Sequence, residues 1–329
     1  MRSAAAAIFL VLAPGAQALE PSGDIVGIHD PVIIREKDTY YIYSTNGDTP
    51  PATLRIRSSA DLKQWTARGH VFDKLPDWAT RLIPGTRGVW APDIARVDGR
   101  YRMYYSVSTF GSNRSAIGLT TNATLDPGAP DYKWNDEGVV VESTHDSNFN
   151  AIDPNFVVDR NGRHWLSLGS FWSGIKLFEL DPKTGKLLKP GATPYAIASR
   201  PAPRNAAAAL EAPFILTRPD HYYLFVSYDF CCKGVHSTYY VVVGRAREIT
   251  GPYLGKDGSK LLEGGGTVFI RWQDPSERYR GQGHNGWLSD SDGKDYVVYH
   301  AYDRQNEGKS TLRISEVKWG DDGWPEMLQ

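Results

Sequence analysis

The stretch "HDPVIIREKDTYYIYST", residues 29–45, decides the fold. An acid–proline pair, Asp30-Pro31, precedes an apolar run; a short polar turn follows, and then an aromatic strand. The same order returns in "WAPDIARVDGRYRMYYSVS" from Trp90, "AIDPNFVVDRNGRHWLSLGS" from Ala151, "LEAPFILTRPDHYYLFVSY" from Leu210 and "GHNGWLSDSDGKDYVVYHAY" from Gly283. Pro31, Pro92, Pro154 and Pro213 are 61, 62 and 59 residues apart, and the fifth copy lacks the proline. The turns carry Asp98-Gly99, Asn161-Gly162, Pro219-Asp220 and Asp292-Gly293, residue types that suit tight hairpins.

Five self-similar hairpin units, each too small to bury its own apolar face, predict radial packing. The expected fold is all-β, a five-bladed β-propeller with about four strands per blade. A sandwich of tandem hairpins is the alternative, but it does not need so long a repeat. No amphipathic helix is expected; the nearest candidate, "RPAPRNAAAALEAP" at 200–213, is alanine-rich but framed by prolines. In a propeller the innermost strands line one central channel. The residues at their starts, Asp30, Trp90, Asp153, Glu211 and His284, are therefore expected at one mouth.

The surrounding composition fits that reading. The chain holds 10 Trp, 18 Tyr, 11 Phe, 32 Gly and 21 Pro, aromatic strands punctuated by turn formers. Such rings can fill a strand-rich core or stack on the apolar faces of sugars, and composition leaves both open. Residues 1–18, "MRSAAAAIFLVLAPGAQA", have one basic residue, a short apolar run and a small-x-small ending, so a secretory signal is expected there and a secreted single domain over 19–329. Acidic and basic residues are interleaved around a formal charge of −1, without a basic stripe; no nucleic-acid or membrane partner is expected. A monomer is expected.

Three carboxylates gathered at one mouth oppose one another's ionisation, so one can stay protonated beside another that is charged. Glycoside hydrolysis needs both forms, an acid for the leaving oxygen and a base for the attacking water. A lone Asp-Pro is most often a simple turn; the recurrence in register, and the glutamate in "LEAPF", carry the catalytic reading.

With those residues in view, the chain resembles the glycoside hydrolase family 43 arabinanases, propeller enzymes that cleave α-1,5-linked arabinan. The resemblance runs from about Gly23 to Met327 through "HDPVII", "VWAPDI", "STFGSNRSAIGL", "AIDPN", "GSFWSGI", "LEAPFI", "YDFCCKGVHSTYYVVVGRA", "ITGPY" and "GQGHNG". It implies Asp30 as general base, Glu211 as general acid and Asp153 as the carboxylate that tunes and orients the acid, in a single displacement with inversion. Trp90, Phe110 and Trp172 are the expected sugar-stacking rings, with Ser173 beside them. Asn155 is either a ligand for sugar hydroxyls or a cap on its strand. Cys231 and Cys232, the only cysteines, match the family's "CCKG" loop and are expected near the substrate, either as a vicinal disulfide or as two thiols. They offer no zinc-ligand spacing.

The resemblance also implies one calcium ion at the propeller centre, with His284 beside it and water completing its shell. The run "DSDGKD" from Asp290 is no calcium loop, because its twelfth position is Ala301. The expected activity is endo-hydrolysis of arabinan; exo-action, an arabinofuranosidase, a β-xylosidase or a sugar-binding propeller are the alternatives.

Overall fold

The computed structural model describes residues 19–46, 53–202, 207–272, 274 and 276–328; the expected signal segment, 1–18, lies outside them. Five antiparallel meanders follow one another along the chain. Blade 1 is His29–Glu36, Thr39–Thr45, Arg55–Ser59 and Gln64–His70, and blade 2 is Val89–Val97, Arg100–Val107, Ser115–Asn122 and Asn135–Ser143. Blade 3 is Asn155–Val158, His164–Leu168, Ile175–Leu180 and Tyr195–Ala198, and blade 4 is Leu210–Thr217, Tyr222–Tyr228, Tyr240–Ala246 and Thr267–Ile270. Blade 5 is Tyr279–Ser289, Asp295–Asp303, Lys309–Trp319 and Pro325–Met327. This is a five-bladed β-propeller. The turn joining the two inner strands of blade 2 has positive φ at both Asp98 (49°) and Gly99 (81°), as a tight two-residue hairpin demands.

The hydrophobic core is divided into five wedges, one between each pair of neighbouring blades. Strand alternation explains the division. Along blade 1, Val32, Tyr41 and Tyr43 face blade 2, while Ile33, Tyr40 and Ile42 face blade 5. Each strand is therefore apolar on both faces, which is why the repeats read as apolar runs rather than as half-polar strands. Most aromatics fill these wedges: Trp65, Trp165, Tyr43, Tyr101, Tyr104 and Tyr105 are fully buried. Core filling thus accounts for most of the aromatic content, and only a few rings remain for other work.

The ring closes without exchange of strands between blades. Residues 19–26 run as a strap from blade 5 to blade 1: Leu19 and Val26 bridge Ile314 and Thr311, while Ser22 and Gly23 pair in parallel with Gln64 and Trp65. Glu20 meets Arg313 through two contacts of 3.0 Å, and Asp24 meets the fully buried Arg57. Among the described residues the one α-helix, Asp77–Leu82, lies between blades 1 and 2. Its six residues make fewer than two turns, too few for helical periodicity to show in sequence. Ala207–Ala209 are non-helical and lead into the strand at Leu210.

Candidate active site

The inner strands share one irregularity. Asp30, Ala91, Asp153, Ala212 and His284 all have positive φ, between 44° and 58°. Four precede a proline and the fifth precedes Asn285, so they are equivalent by fold. This corrects the expected alignment. Trp90 and Glu211 stand one residue upstream of the positions held by Asp30 and Asp153, because Ala91 and Ala212 are the residues that directly precede the proline. Left-handed backbone is costly for non-glycine residues, and here it is held from the preceding blade. Thr45 Oγ1 accepts the Ala91 N–H at 2.8 Å and Ser106 Oγ that of Asp153 at 2.9 Å. Ser227 Oγ accepts the His284 N–H at 2.9 Å and His300 Nδ1 that of Asp30 at 3.2 Å.

Blade 3 breaks this pattern. Its residue at that position is Gly169, with φ of 138°, where a Cβ would lie 2.7 Å from the Gly174 carbonyl oxygen. No hydroxyl can be mounted there, and Asp153 Oδ2 itself takes the Ala212 N–H at 3.2 Å. Asp153 therefore grips the backbone immediately after Glu211.

The charges at the mouth divide in the way that acid–base chemistry needs. Asp30 Oδ1 lies 3.0 Å from His284 Nδ1, and Oδ2 accepts from Thr45 Oγ1 at 2.6 Å. Burial alone would raise the Asp30 pKa, but His284, then His300 and His29, outweigh it and hold the carboxyl well below the usual range. His284 shows the mirror effect: burial pulls it down, but Asp30, Asp153 and Glu211 lift it to about 9. Burial raises the Glu211 pKa, with Asp30 adding to it, against hydrogen bonds from Ser170 and Tyr239 and the His284 charge. Burial likewise pushes Asp153 to about 8, opposed by His284 and reinforced by Glu211 and Asp30. An ionised Asp30 thus stands near a Glu211 that favours its proton. A carboxylate has about four acceptor sites, so Asp30 can still accept from a water.

The other expected residues separate into two groups. Phe110 is 90 % exposed and Trp172 41 %, free to meet a ligand, and Trp90 is half-buried. Phe171 and Trp172 both have positive φ, so the ring stands on a strained turn. Cys231 and Cys232 are joined in a vicinal disulfide; the Cys232 N–H donates to Tyr302 Oη at 2.7 Å, and the exposed Phe230 precedes the pair. Asn155 and Ser173 serve the scaffold. Asn155 is 2 % exposed, its Oδ1 accepting from Ile215 N–H at 2.8 Å and its Nδ2 donating to Asp93. Ser173 bonds the Asn148 carbonyl through both its backbone N–H and its hydroxyl.

Sequence reading had not assigned Thr45, Ser170, Tyr239, His29 or His300. His29, Ser170 and Tyr239 lie in motifs already singled out, "HDPVII", "GSFWSGI" and "YDFCCKGVHSTYYVVVGRA", whereas Thr45 and His300 sit in ordinary aromatic strands and carry no signal of their own. Among the described residues, the group able to share a metal ion is His29, Asp30 and His300. Two imidazoles and one carboxylate do not make a calcium cage, since calcium takes six to eight oxygens.

The profile of glycosyl hydrolases family 43 matches residues 26–325. The chain belongs to glycosyl hydrolase family 43. This family 43 protein is 42 % identical over 310 residues to the extracellular exo-α-(1→5)-L-arabinofuranosidase ArbA of Cellvibrio japonicus, covering 92 % of this chain and 86 % of that one. It is 42 % identical over 323 residues to the extracellular endo-α-(1→5)-L-arabinanase 1 of Bacillus subtilis, covering 98 % and 94 %. Among solved structures, an exo-1,5-α-L-arabinanase from a bovine ruminal metagenomic library superposes with a TM-score of 0.86 at 44 % identity, covering 94 % of this chain and 99 % of that one. The family 43 endo-arabinanase of Bacillus licheniformis superposes with a TM-score of 0.84 at 44 % identity, covering 94 % and 99 %.

Proposed function

We propose that this family 43 protein is a secreted endo-arabinanase that hydrolyses internal α-1,5-L-arabinofuranosidic bonds of arabinan with inversion. The observation that carries this reading is the opposed pair at the channel mouth, a carboxyl 3.0 Å from His284 whose pKa is held low and another whose pKa burial raises. Asp30 takes a proton from water as the water attacks the anomeric carbon. Glu211 gives its proton to the departing glycosidic oxygen, and the bond to that oxygen breaks as the bond to water forms. Asp153 holds the backbone N–H of Ala212 and so orients the acid. Trp90, Phe110, Trp172 and the Cys231–Cys232 loop form the surface on which furanose rings lie. The extracellular relatives support export. The ion that the resemblance implies would be held at this end of the channel chiefly by water, beside a deprotonated His284, because the protein's own oxygens do not enclose one.

Exo-action is the second reading, favoured by the exo-acting relatives of comparable identity. Incubation with linear arabinan, followed by product length over time, separates the two. Mixed oligosaccharides from the earliest samples are expected. Arabinose, or one fixed short product throughout, would reject endo-action.

A further inference from the structure

The proposed acid is gripped on both oxygens. Ser170 Oγ donates to Glu211 Oε2 at 2.8 Å and Tyr239 Oη donates to Oε1 at 2.8 Å. Ser170 is also tied to Glu211 through a backbone bridge, whereas Tyr239, just before the strand Tyr240–Ala246, reaches it by one hydroxyl alone. That tyrosine is 1 % exposed. Its ring stacks on His300, with centroids 5.8 Å apart and planes at 21°, and its edge lies against the backbone of Gly283. A Cβ at Gly283 would come within 2.0 Å of Tyr239 Cδ1 and 2.2 Å of Cε1. Gly283 does not have a positive φ, so its missing side chain serves space rather than backbone conformation. This gives the second glycine of "GQGHNG" a physical task. The first, Gly281, faces Ser237 and Tyr302 in the same way, with Cβ distances of 2.5 and 3.0 Å.

We propose that Tyr239 is the positioning residue of the acid Glu211, and that Gly283 exists to leave room for its ring. The inference rests on Glu211 being the acid. A glutamate side chain has several rotatable bonds, and a general acid must place its proton within hydrogen-bond reach of the leaving oxygen. Two hydroxyls on the two carboxyl oxygens fix the plane of the carboxyl group, and removing one lets it turn. The same imidazole that supports the Tyr239 ring accepts the backbone N–H of Asp30, so acid and base are registered against a common residue, His300.

The test compares leaving groups. Arabino-oligosaccharide cleavage needs a proton on the departing sugar oxygen, whereas a 2,4-dinitrophenyl α-1,5-arabinotrioside releases a phenolate that needs none. Tyr239→Phe is expected to lower kcat on the oligosaccharide about 10- to 100-fold, the value of one hydrogen bond to a carboxyl group that ionises in the reaction. KM should stay near its original value, and kcat on the aryl substrate should change by less than about threefold. Gly283→Ala should give the same signature, and the double variant should lose no more than either single change. Tyr239→Phe removes one oxygen and carries the test alone if Gly283→Ala does not fold. Equal losses on both substrates, or an unchanged kcat on the oligosaccharide, would overturn the proposal. Glu211→Gln distinguishes the underlying reading: it should abolish oligosaccharide cleavage while sparing the aryl substrate. If it does so and Tyr239→Phe does not share the pattern, the positioning role alone fails; if Glu211→Gln does not, the acid assignment itself fails.

Discussion

Asp93 is the change most worth making outside the catalytic carboxylates. It occupies the place in blade 2 that Asn155 occupies in blade 3, two residues after the left-handed position. Both do one job: Asp93 Oδ2 accepts the Phe156 N–H at 2.6 Å, and Asn155 Oδ1 accepts the Ile215 N–H at 2.8 Å. Burial pushes the Asp93 carboxyl from 3.8 to about 7, although the N–H groups of Phe156 and Ile94 and the Asn155 amide favour its ionised form. A folded-state pKa above the unfolded one contributes stability that is complete below about 3.8 and is lost as pH rises towards 7. Three units correspond to about 4 kcal/mol in all, of which about 2–3 kcal/mol falls between pH 5 and pH 8. Asp93→Asn keeps the acceptor and cannot ionise; its amide facing the Ile94 N–H costs on the order of 1 kcal/mol at every pH. Guanidinium unfolding of both proteins at pH 5, 6, 7 and 8 should therefore show the variant gaining on the original by about 2–3 kcal/mol across that range. Stability differences that stay parallel with pH would refute the reasoning, because they would mean that the folded protein accommodates the charge at no cost.

Asp30→Asn and Glu211→Gln should each lower turnover of arabinan by at least about a thousandfold while oligosaccharide binding stays measurable by calorimetry; full activity in either variant would remove its residue from the mechanism. Dialysis against EDTA should strip one equivalent of calcium from the purified protein, and His284→Ala should bind none by elemental analysis. Absence of calcium in the untreated protein, or its retention in the variant, would end the ion proposal.

The relation of the site to its supports also explains what was readable in advance. Asp30 and Asp153 directly precede prolines and Glu211 stands one residue further upstream in the same repeated frame, so spacing alone suggested that they meet. The one-residue offset of Trp90 and Glu211 is marked by Pro92 and Pro213, but that the residue directly before each proline takes the left-handed backbone is seen only in the fold. Asn155 and Ser173 lie inside motifs, and motif membership does not say whether a polar atom faces a ligand or another blade. Asn113 and Asn122 match glycosylation acceptors in sequence but are buried in the fold.

By itself the chain determined the five-fold repeat, the number of blades and the three carboxylates, because apolar runs and turn chemistry are local and return in each repeat. Tertiary structure decided which protonation state each carboxyl favours, for that depends on burial and on histidines brought from other parts of the chain: His284 and His300 lie more than 250 residues from Asp30. It also decided the grip on Glu211, which joins Ser170, Tyr239 and the empty space at Gly283. An absent side chain has meaning only when the atom that fills its place is known.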